Sequence, residues 1–61
     1  MTTIGQKIKA AREAKGWTQA KLAEEMGYDT YVTISRHEND VYKPSSRALM
    51  AYERVLGRIL K

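Results

Sequence analysis

Apolar residues recur along the chain at the spacing of helices rather than of strands. Ile4, Ile8 and Ala11 follow one another at steps of four and three, which places them on one helical face and predicts a helix over residues 3–14. Gly16 follows this segment, and a glycine adopts the left-handed conformation after a helix without steric cost. There is no clean alternation of apolar and polar residues of the kind that marks a strand. The pattern therefore predicts an all-α chain.

A second helix is predicted between Thr18 and Gly27. Thr18 is a favourable N-cap, because its hydroxyl can accept a hydrogen bond from a backbone N–H of the first turn. Trp17 precedes the cap and is placed to pack on Leu22, four positions into the helix. Gly27 suits the helix end.

The third helix is predicted over residues 30–38, with Asp29 or Thr30 as its cap. Ile34 and His37 share one face of it. The opposite face carries one apolar, one small polar and one basic side chain: Val32, Ser35 and Arg36. This mixture is unusual for an ordinary solvated helix face.

The fourth helix is predicted to begin at Ser45, directly after Pro44. It ends at Gly57 or continues to Leu60. Three residues form its predicted inward stripe: Leu49, Tyr52 and Leu56. The chain shows no repeat, linker or low-complexity segment, so residues 1–61 are predicted to form a single domain.

Composition excludes several classes of protein. The 61 residues contain no cysteine and one histidine, which leaves no disulfide framework and no histidine or thiolate metal cluster. No apolar run is long enough to cross a membrane, and the N-terminus lacks the layout of a signal peptide, so a cytoplasmic protein is expected. The net charge of +4 favours a polyanionic partner, although a surplus of this size is also common for solubility.

Six segments spanning about residues 4–57 carry a resemblance: Ile4–Ile8, Arg12–Gln19, Leu22–Gly27, Thr33–Asn39, Lys43–Ser45 and Leu49–Gly57. In this order and at nearly this spacing, they resemble the Cro/cI-type (XRE-like) helix-turn-helix family of small phage-repressor-like domains. The resemblance implies a lambda-repressor-like bundle of four short helices, with a fifth helix short or absent. It also implies that the third helix docks in the major groove of DNA.

Two sets of DNA contacts follow from the resemblance. Side chains of mixed hydrogen-bonding and apolar character read base edges, and those expected to do so are Thr30, Tyr31, Val32, Ser35 and Arg36. The residues expected at the phosphate backbone are Thr18, Gln19, Thr33, Asn39 and Lys43. Arg36 can bond a guanine through two donors, and Val32 can meet a thymine methyl. The alternative for each position is an ordinary solvated residue.

The resemblance further implies an ion pair between Arg12 of the first helix and Glu38 at the end of the third. At the C-terminal end, apolar side chains exceed what four short helices can easily cover: Val55, Ile59 and Leu60. Residues 55–61 are therefore a candidate dimerisation element, and a homodimer would read a roughly palindromic operator. The alternative is that these side chains cover the chain's own core.

The chain departs from the family pattern at three places. Around residues 28–31 it carries one residue more than the commonest spacing, where the register of the third helix is set. Asp40 replaces the usual glycine and brings a negative charge near an expected phosphate. His37 stands where the family is usually apolar, and we expect it to be packed and hydrogen-bonded.

The resemblance implies a sequence-specific transcriptional regulator that binds double-stranded DNA and is associated with the nucleoid. No cofactor, metal, small-molecule ligand or membrane is expected. An alternative of another class is a protein-interaction module of the antitoxin-like or bridging kind. Four carboxylates on and near the second helix favour that alternative: Glu24, Glu25, Asp29 and Asp40. An enzyme is not expected, because no nucleophile, base and orienting group occur together and the domain is small for a dry pocket.

Overall fold

The computed structural model describes residues 2–58, and this part of the chain forms four α-helices and no strand. The helices are α1 (Ile4–Ala14), α2 (Gln19–Met26), α3 (Val32–Glu38) and α4 (Ser46–Leu56). The all-α, four-helix prediction is confirmed. No fifth helix occurs within residues 2–58.

Local capping sets three of the helix starts. The hydroxyls of Thr18 and Ser45 accept hydrogen bonds from backbone N–H groups three residues later, at 3.0 and 3.2 Å, as predicted. The α1 cap was not predicted. Thr3 and Gln6 form a capping box in which each side chain satisfies the other residue's backbone N–H, at 3.1 and 3.0 Å. The spacing Thr-x-x-Gln is the signal that identifies it.

Glycines end three of the helices. Gly16, Gly27 and Gly57 have φ angles of 73°, 81° and 91°, a region in which other residues are strained. The predicted stops after α1 and α2 are confirmed, and α4 ends before Gly57 rather than continuing beyond it.

The start of α3 was predicted wrongly. The helix begins at Val32 rather than residue 30, and its N-cap is Tyr31, whose side chain makes no capping hydrogen bond. The Thr30 hydroxyl instead accepts a hydrogen bond from the Val32 N–H at 3.3 Å, within the loop before the helix. A threonine can satisfy a backbone N–H in a turn as well as at a helix start, so residue type alone did not locate the boundary.

All four helices contribute to one core, made of Ile8, Leu22, Ala23, Ile34 and Tyr52. The predicted α4 stripe is partly wrong. Tyr52 is fully buried and Leu56 packs against the core, but Leu49 is only half-buried and lies outside this cluster. Ala48 and Val55 pack there instead, so α4 is rotated slightly from the predicted orientation.

Gly5 allows α1 to lie directly on the end of α3. It is buried, and a Cβ atom added there would lie 2.8 Å from the Glu38 carbonyl oxygen and closer still to that of His37. Only a residue without a side chain fits this contact. The close approach fixes the C-terminal end of α3 against the bundle.

Candidate nucleic-acid interface

The face of α3 that points away from the core carries the mixture of side chains predicted from the sequence. Val32 is 42% exposed, Thr33 and Arg36 are exposed, and Ser35 is half-buried. Tyr31, just before the helix, is 53% exposed. These side chains offer an aliphatic surface, hydroxyl groups and a guanidinium within two turns of helix.

The opposite face of α3 is held in the core by Ile34, His37 and Glu38, all of which are buried. A 2.6 Å hydrogen bond joins Nδ1 of His37 and the Tyr52 hydroxyl, and the two rings pack edge to face. The predicted packed, hydrogen-bonded histidine is therefore confirmed. Burial lowers the pKa of His37 and raises the pKa of Tyr52. These shifts keep the His37 imidazole neutral and the Tyr52 hydroxyl protonated, and the hydrogen bond between them satisfies both groups.

The Glu38 carboxylate connects three helices. Arg12 of α1 donates to it from Nε at 2.7 Å and from the terminal nitrogen at 3.2 Å, which is the expected ion pair in its two-donor form. Gln19 of α2 donates to the same carboxylate from Nε2 at 3.0 Å. The hydrogen bond to Glu38 raises the pKa of Arg12, so the guanidinium stays protonated. Arg12 also donates to the Trp17 carbonyl oxygen at 2.6 Å.

This buried pair is satisfied, because both Glu38 oxygens accept hydrogen bonds and no buried side-chain nitrogen or oxygen within residues 2–58 lacks a partner. An ion pair of this kind contributes little to stability by itself, but it is costly to break from one side. Its structural consequence is that the exposed face of α3 has a fixed orientation relative to the start of α2.

The start of α2 presents the first candidate phosphate contacts. Thr18 caps the helix, and Gln19 is half-buried with one amide hydrogen donated to Glu38. The amide carries a second hydrogen, which remains for another acceptor. Two ammonium groups lie near the Trp17 ring, with Lys15 Nζ at 5.2 Å and Lys21 Nζ at 5.8 Å from its centre. Lys21 is paired with Glu24 and Glu25, so the favourable feature for an anion here is the positive end of the helix dipole.

The remaining candidate phosphate contacts lie on and after α3. Thr33, Asn39 and Lys43 are all exposed. The Asn39 side chain donates a 3.3 Å hydrogen bond to the Ser35 hydroxyl, which ties it to the last turn of α3. Lys43 lies in the loop that leads to α4.

In the comparison with protein families, residues 8–59 match a family described as Helix-turn-helix. This covers most of the chain and includes both α2 and α3. The chain belongs to the Cro/cI-type (XRE-like) helix-turn-helix family. Comparisons with curated proteins and with solved structures gave no match. The family is one of DNA-binding regulators and is not typically enzymatic, and the chain is therefore a DNA-binding helix-turn-helix regulator in general terms.

Within this helix-turn-helix fold, Asp40 stands at a position where the family usually has a glycine. It is the one residue other than glycine within residues 2–58 with a positive φ, at 60°. Aspartate tolerates this conformation better than most residues. Its Oδ2 accepts a 2.7 Å hydrogen bond from the Thr3 hydroxyl, a contact that the sequence did not predict. The carboxylate thus links the end of α3 to the cap of α1.

The candidate dimerisation element is described only in part. Val55 is half-buried and packs against the chain's own core, which favours the alternative interpretation for this residue. Ile59 and Leu60 lie outside the described residues. Within residues 2–58 no helix is long and apolar enough to span a bilayer, and no three side chains group as metal ligands would.

Proposed function

We propose that this helix-turn-helix protein is a sequence-specific transcriptional regulator that inserts α3 into the major groove of double-stranded DNA. Thr30 and Tyr31 precede α3 and reach the groove from the loop. The major groove of B-DNA is about 12 Å wide and admits one helix. The observation that carries the proposal is that α3 exposes Val32 and Arg36 while the opposite face of the same two turns is buried.

The exposed side chains match what base edges require. The Arg36 guanidinium supplies parallel donors for guanine O6 and N7, and the Val32 methyl groups suit a thymine methyl. Ser35 and Tyr31 add hydroxyl groups that both donate and accept. Because α3 has only seven residues, its reading surface is short and each of these side chains bears on specificity.

Phosphate contacts would orient the helix on the duplex. Thr18 and Gln19 lie at the start of α2, where unpaired backbone N–H groups favour an anion. On the other side of the groove, the phosphates would be contacted by Thr33, Asn39 and Lys43. Gln19 would contact a phosphate while its amide also binds Glu38, which would link backbone binding to the α3 orientation.

We further propose that the protein acts as a homodimer through the C-terminal segment that follows α4, to which Ile59 and Leu60 belong. A two-fold dimer would place two α3 helices in successive major grooves, on half-sites about 34 Å apart. Control would then come from protein concentration and the dimerisation equilibrium.

The alternative function is a protein-interaction module, and one observation favours it. A shallow groove between α2 and the following loop is lined by Glu24, Tyr28 and Asp29. Such a groove would take a basic segment of a partner. Lys21 Nζ, however, lies 2.8 Å from a Glu25 carboxylate oxygen and 3.4 Å from a Glu24 carboxylate oxygen. These ion pairs partly neutralise this side of α2, so the charges favour DNA binding over binding of a basic partner.

The salt dependence of binding distinguishes these two functions. A dimer that contacts about 6–10 phosphates should bind DNA with a slope of log K against log[salt] near −5 to −9. We expect a slope in this range when binding to a duplex of genomic DNA is measured by fluorescence anisotropy at several salt concentrations. An absence of binding at low ionic strength would contradict the proposal and favour the protein-interaction module.

A further inference from the structure

An aromatic ring lies close to the arginine that we propose to read a base. The guanidinium carbon of Arg36 lies 5.7 Å from the centre of the Tyr42 ring, within the distance of about 6 Å at which a cation is attracted to a ring face. Tyr42 is 59% exposed, so the core does not account for its position. Among the described residues, Arg36 forms no ion pair with a carboxylate that would compete for its charge.

The backbone at the end of α3 brings this ring to Arg36. Asp40 adopts the left-handed conformation, and its N–H donates to the His37 carbonyl oxygen at 3.2 Å. The Val41 N–H then donates to the Arg36 carbonyl oxygen at 3.0 Å. These two bonds form a Schellman motif, which turns the chain back over the last turn of the helix. Tyr42, the next residue, is thereby returned to the side of α3 that carries Arg36.

We propose that Tyr42 is a positioning residue for Arg36 and, through it, a determinant of the base that the protein reads. This inference rests on the proposed function. An exposed arginine has many rotamers, and fixing one of them on binding costs conformational entropy. The attraction to the ring restricts those rotamers before DNA arrives, which lowers that cost.

The contact with the ring leaves the guanidinium free to bind. Among the described residues, the Arg36 guanidinium donates no hydrogen bond to a side chain or a carbonyl oxygen. The donors of Arg36 therefore remain available for a two-donor contact with a guanine. A carboxylate in the place of the ring would occupy those same donors.

The test compares substitutions at Tyr42 on the DNA site that the wild-type protein selects from a random pool. Tyr42→Phe keeps the ring, and we expect it to bind that site within about twofold of wild type. Tyr42→Leu removes the ring face while keeping apolar bulk, and we expect binding about two- to fivefold weaker. Tyr42→Leu should also weaken the base preference at the same base pair where Arg36→Ala weakens it. Val41→Ala, at a neighbouring residue that is 61% exposed, is the control and should leave affinity and preference unchanged.

A second arm distinguishes positioning from direct contact between Tyr42 and DNA. In an Arg36→Ala background, Tyr42→Leu should have no further effect. A loss that persists in this background, or one that is equal for every sequence, would overturn the inference. So would wild-type behaviour of Tyr42→Leu, or tighter binding by it. Thermal unfolding of each variant checks that the substitution leaves the domain folded.

The failures of the two proposals are distinguishable. If the wild-type protein selects no DNA site, the proposed function fails, and the role of Tyr42 fails with it. If the wild-type protein selects a site and Arg36→Ala relaxes one base pair while Tyr42→Leu does not, only the role of Tyr42 fails.

Discussion

Gln19 donates a hydrogen bond from Nε2 to Oε1 of Glu38 at 3.0 Å, which joins the first residue of α2 to the last residue of α3. These residues were expected to act separately, one at a phosphate and the other in an ion pair. Their contact means that the start of α2 and the orientation of α3 are set together. A phosphate bound by Gln19 would therefore be held at a fixed distance from the base-reading face.

Glu38→Gln should destabilise the domain strongly. The substitution keeps the shape of the side chain but removes the buried countercharge of Arg12 and leaves only the exposed Glu13 carboxylate, at 3.9 Å. Breaking a buried pair from one side typically costs about 3–5 kcal/mol. Urea unfolding at neutral pH measures the change. Glu24→Gln is the matched control, because its partner Lys21 is exposed and the loss should stay within about 0.5 kcal/mol. Equal losses in the two variants would show that the buried pair has no special role.

Gly5→Ala should also destabilise the domain, although alanine favours helices by about 1 kcal/mol over glycine. The added methyl group would collide with backbone carbonyl oxygens at the end of α3, and overpacking typically costs about 1–3 kcal/mol. Ala10→Gly, at an exposed position of α1, is the control and should cost about 1 kcal/mol through helix propensity alone. A Gly5→Ala variant more stable than wild type would contradict the close contact between α1 and α3.

Stability should fall as the pH drops below about 6.5. Burial lowers the pKa of His37 in the folded state, so the unfolded chain takes up the proton first. The stabilisation by neutral His37 is complete above the unfolded pKa and is lost as the pH falls from there toward the lowered folded value. Unfolding free energies between about pH 7 and pH 5 isolate this effect, because carboxylates titrate mainly lower. His37→Phe should remove the slope in this range, and an unchanged slope would assign it to another group.

Arg36→Ala should weaken binding to the selected site by about 1–3 kcal/mol and relax the preference at one base pair. Lys43→Ala is the comparison, since a phosphate contact should be lost equally from all sequences and should reduce the salt slope by about 1. Affinities for the selected site and for single-base variants of it, at two salt concentrations, separate the two effects. A uniform loss with Arg36→Ala would place that side chain at the backbone.

The features predictable from the sequence are those that depend on neighbouring residues. The caps at Thr18 and Ser45 and the stop at Gly27 follow from local chemistry, and the burial of Ile34 with His37 follows from helical spacing. The start of α3 was predicted wrongly because its N-cap residue, Tyr31, makes no capping hydrogen bond with its side chain. The residue type therefore gave no indication of the boundary.

The contacts that remained hidden join residues far apart in the chain. The Gln19–Glu38 hydrogen bond depends on how two helices cross, which periodicity does not specify. The contact of Gly5 with the end of α3 is also tertiary, and a glycine inside a predicted helix gives only a weak indication of it. The left-handed conformation of Asp40 agrees with its residue type, but the contact of Tyr42 with Arg36 depends on where the turned chain then lies, which local residue types do not specify.

Selection from a random pool of duplex DNA at low ionic strength, run in parallel with wild type and Arg36→Ala, tests the central claim most directly. We predict that wild type enriches a roughly palindromic motif with half-sites about one helical turn apart. Arg36→Ala should enrich the same motif with one symmetric pair of positions relaxed. Recovery of no motif by the wild-type protein, or of identical motifs by both proteins, would contradict the claim that the exposed face of α3 reads DNA.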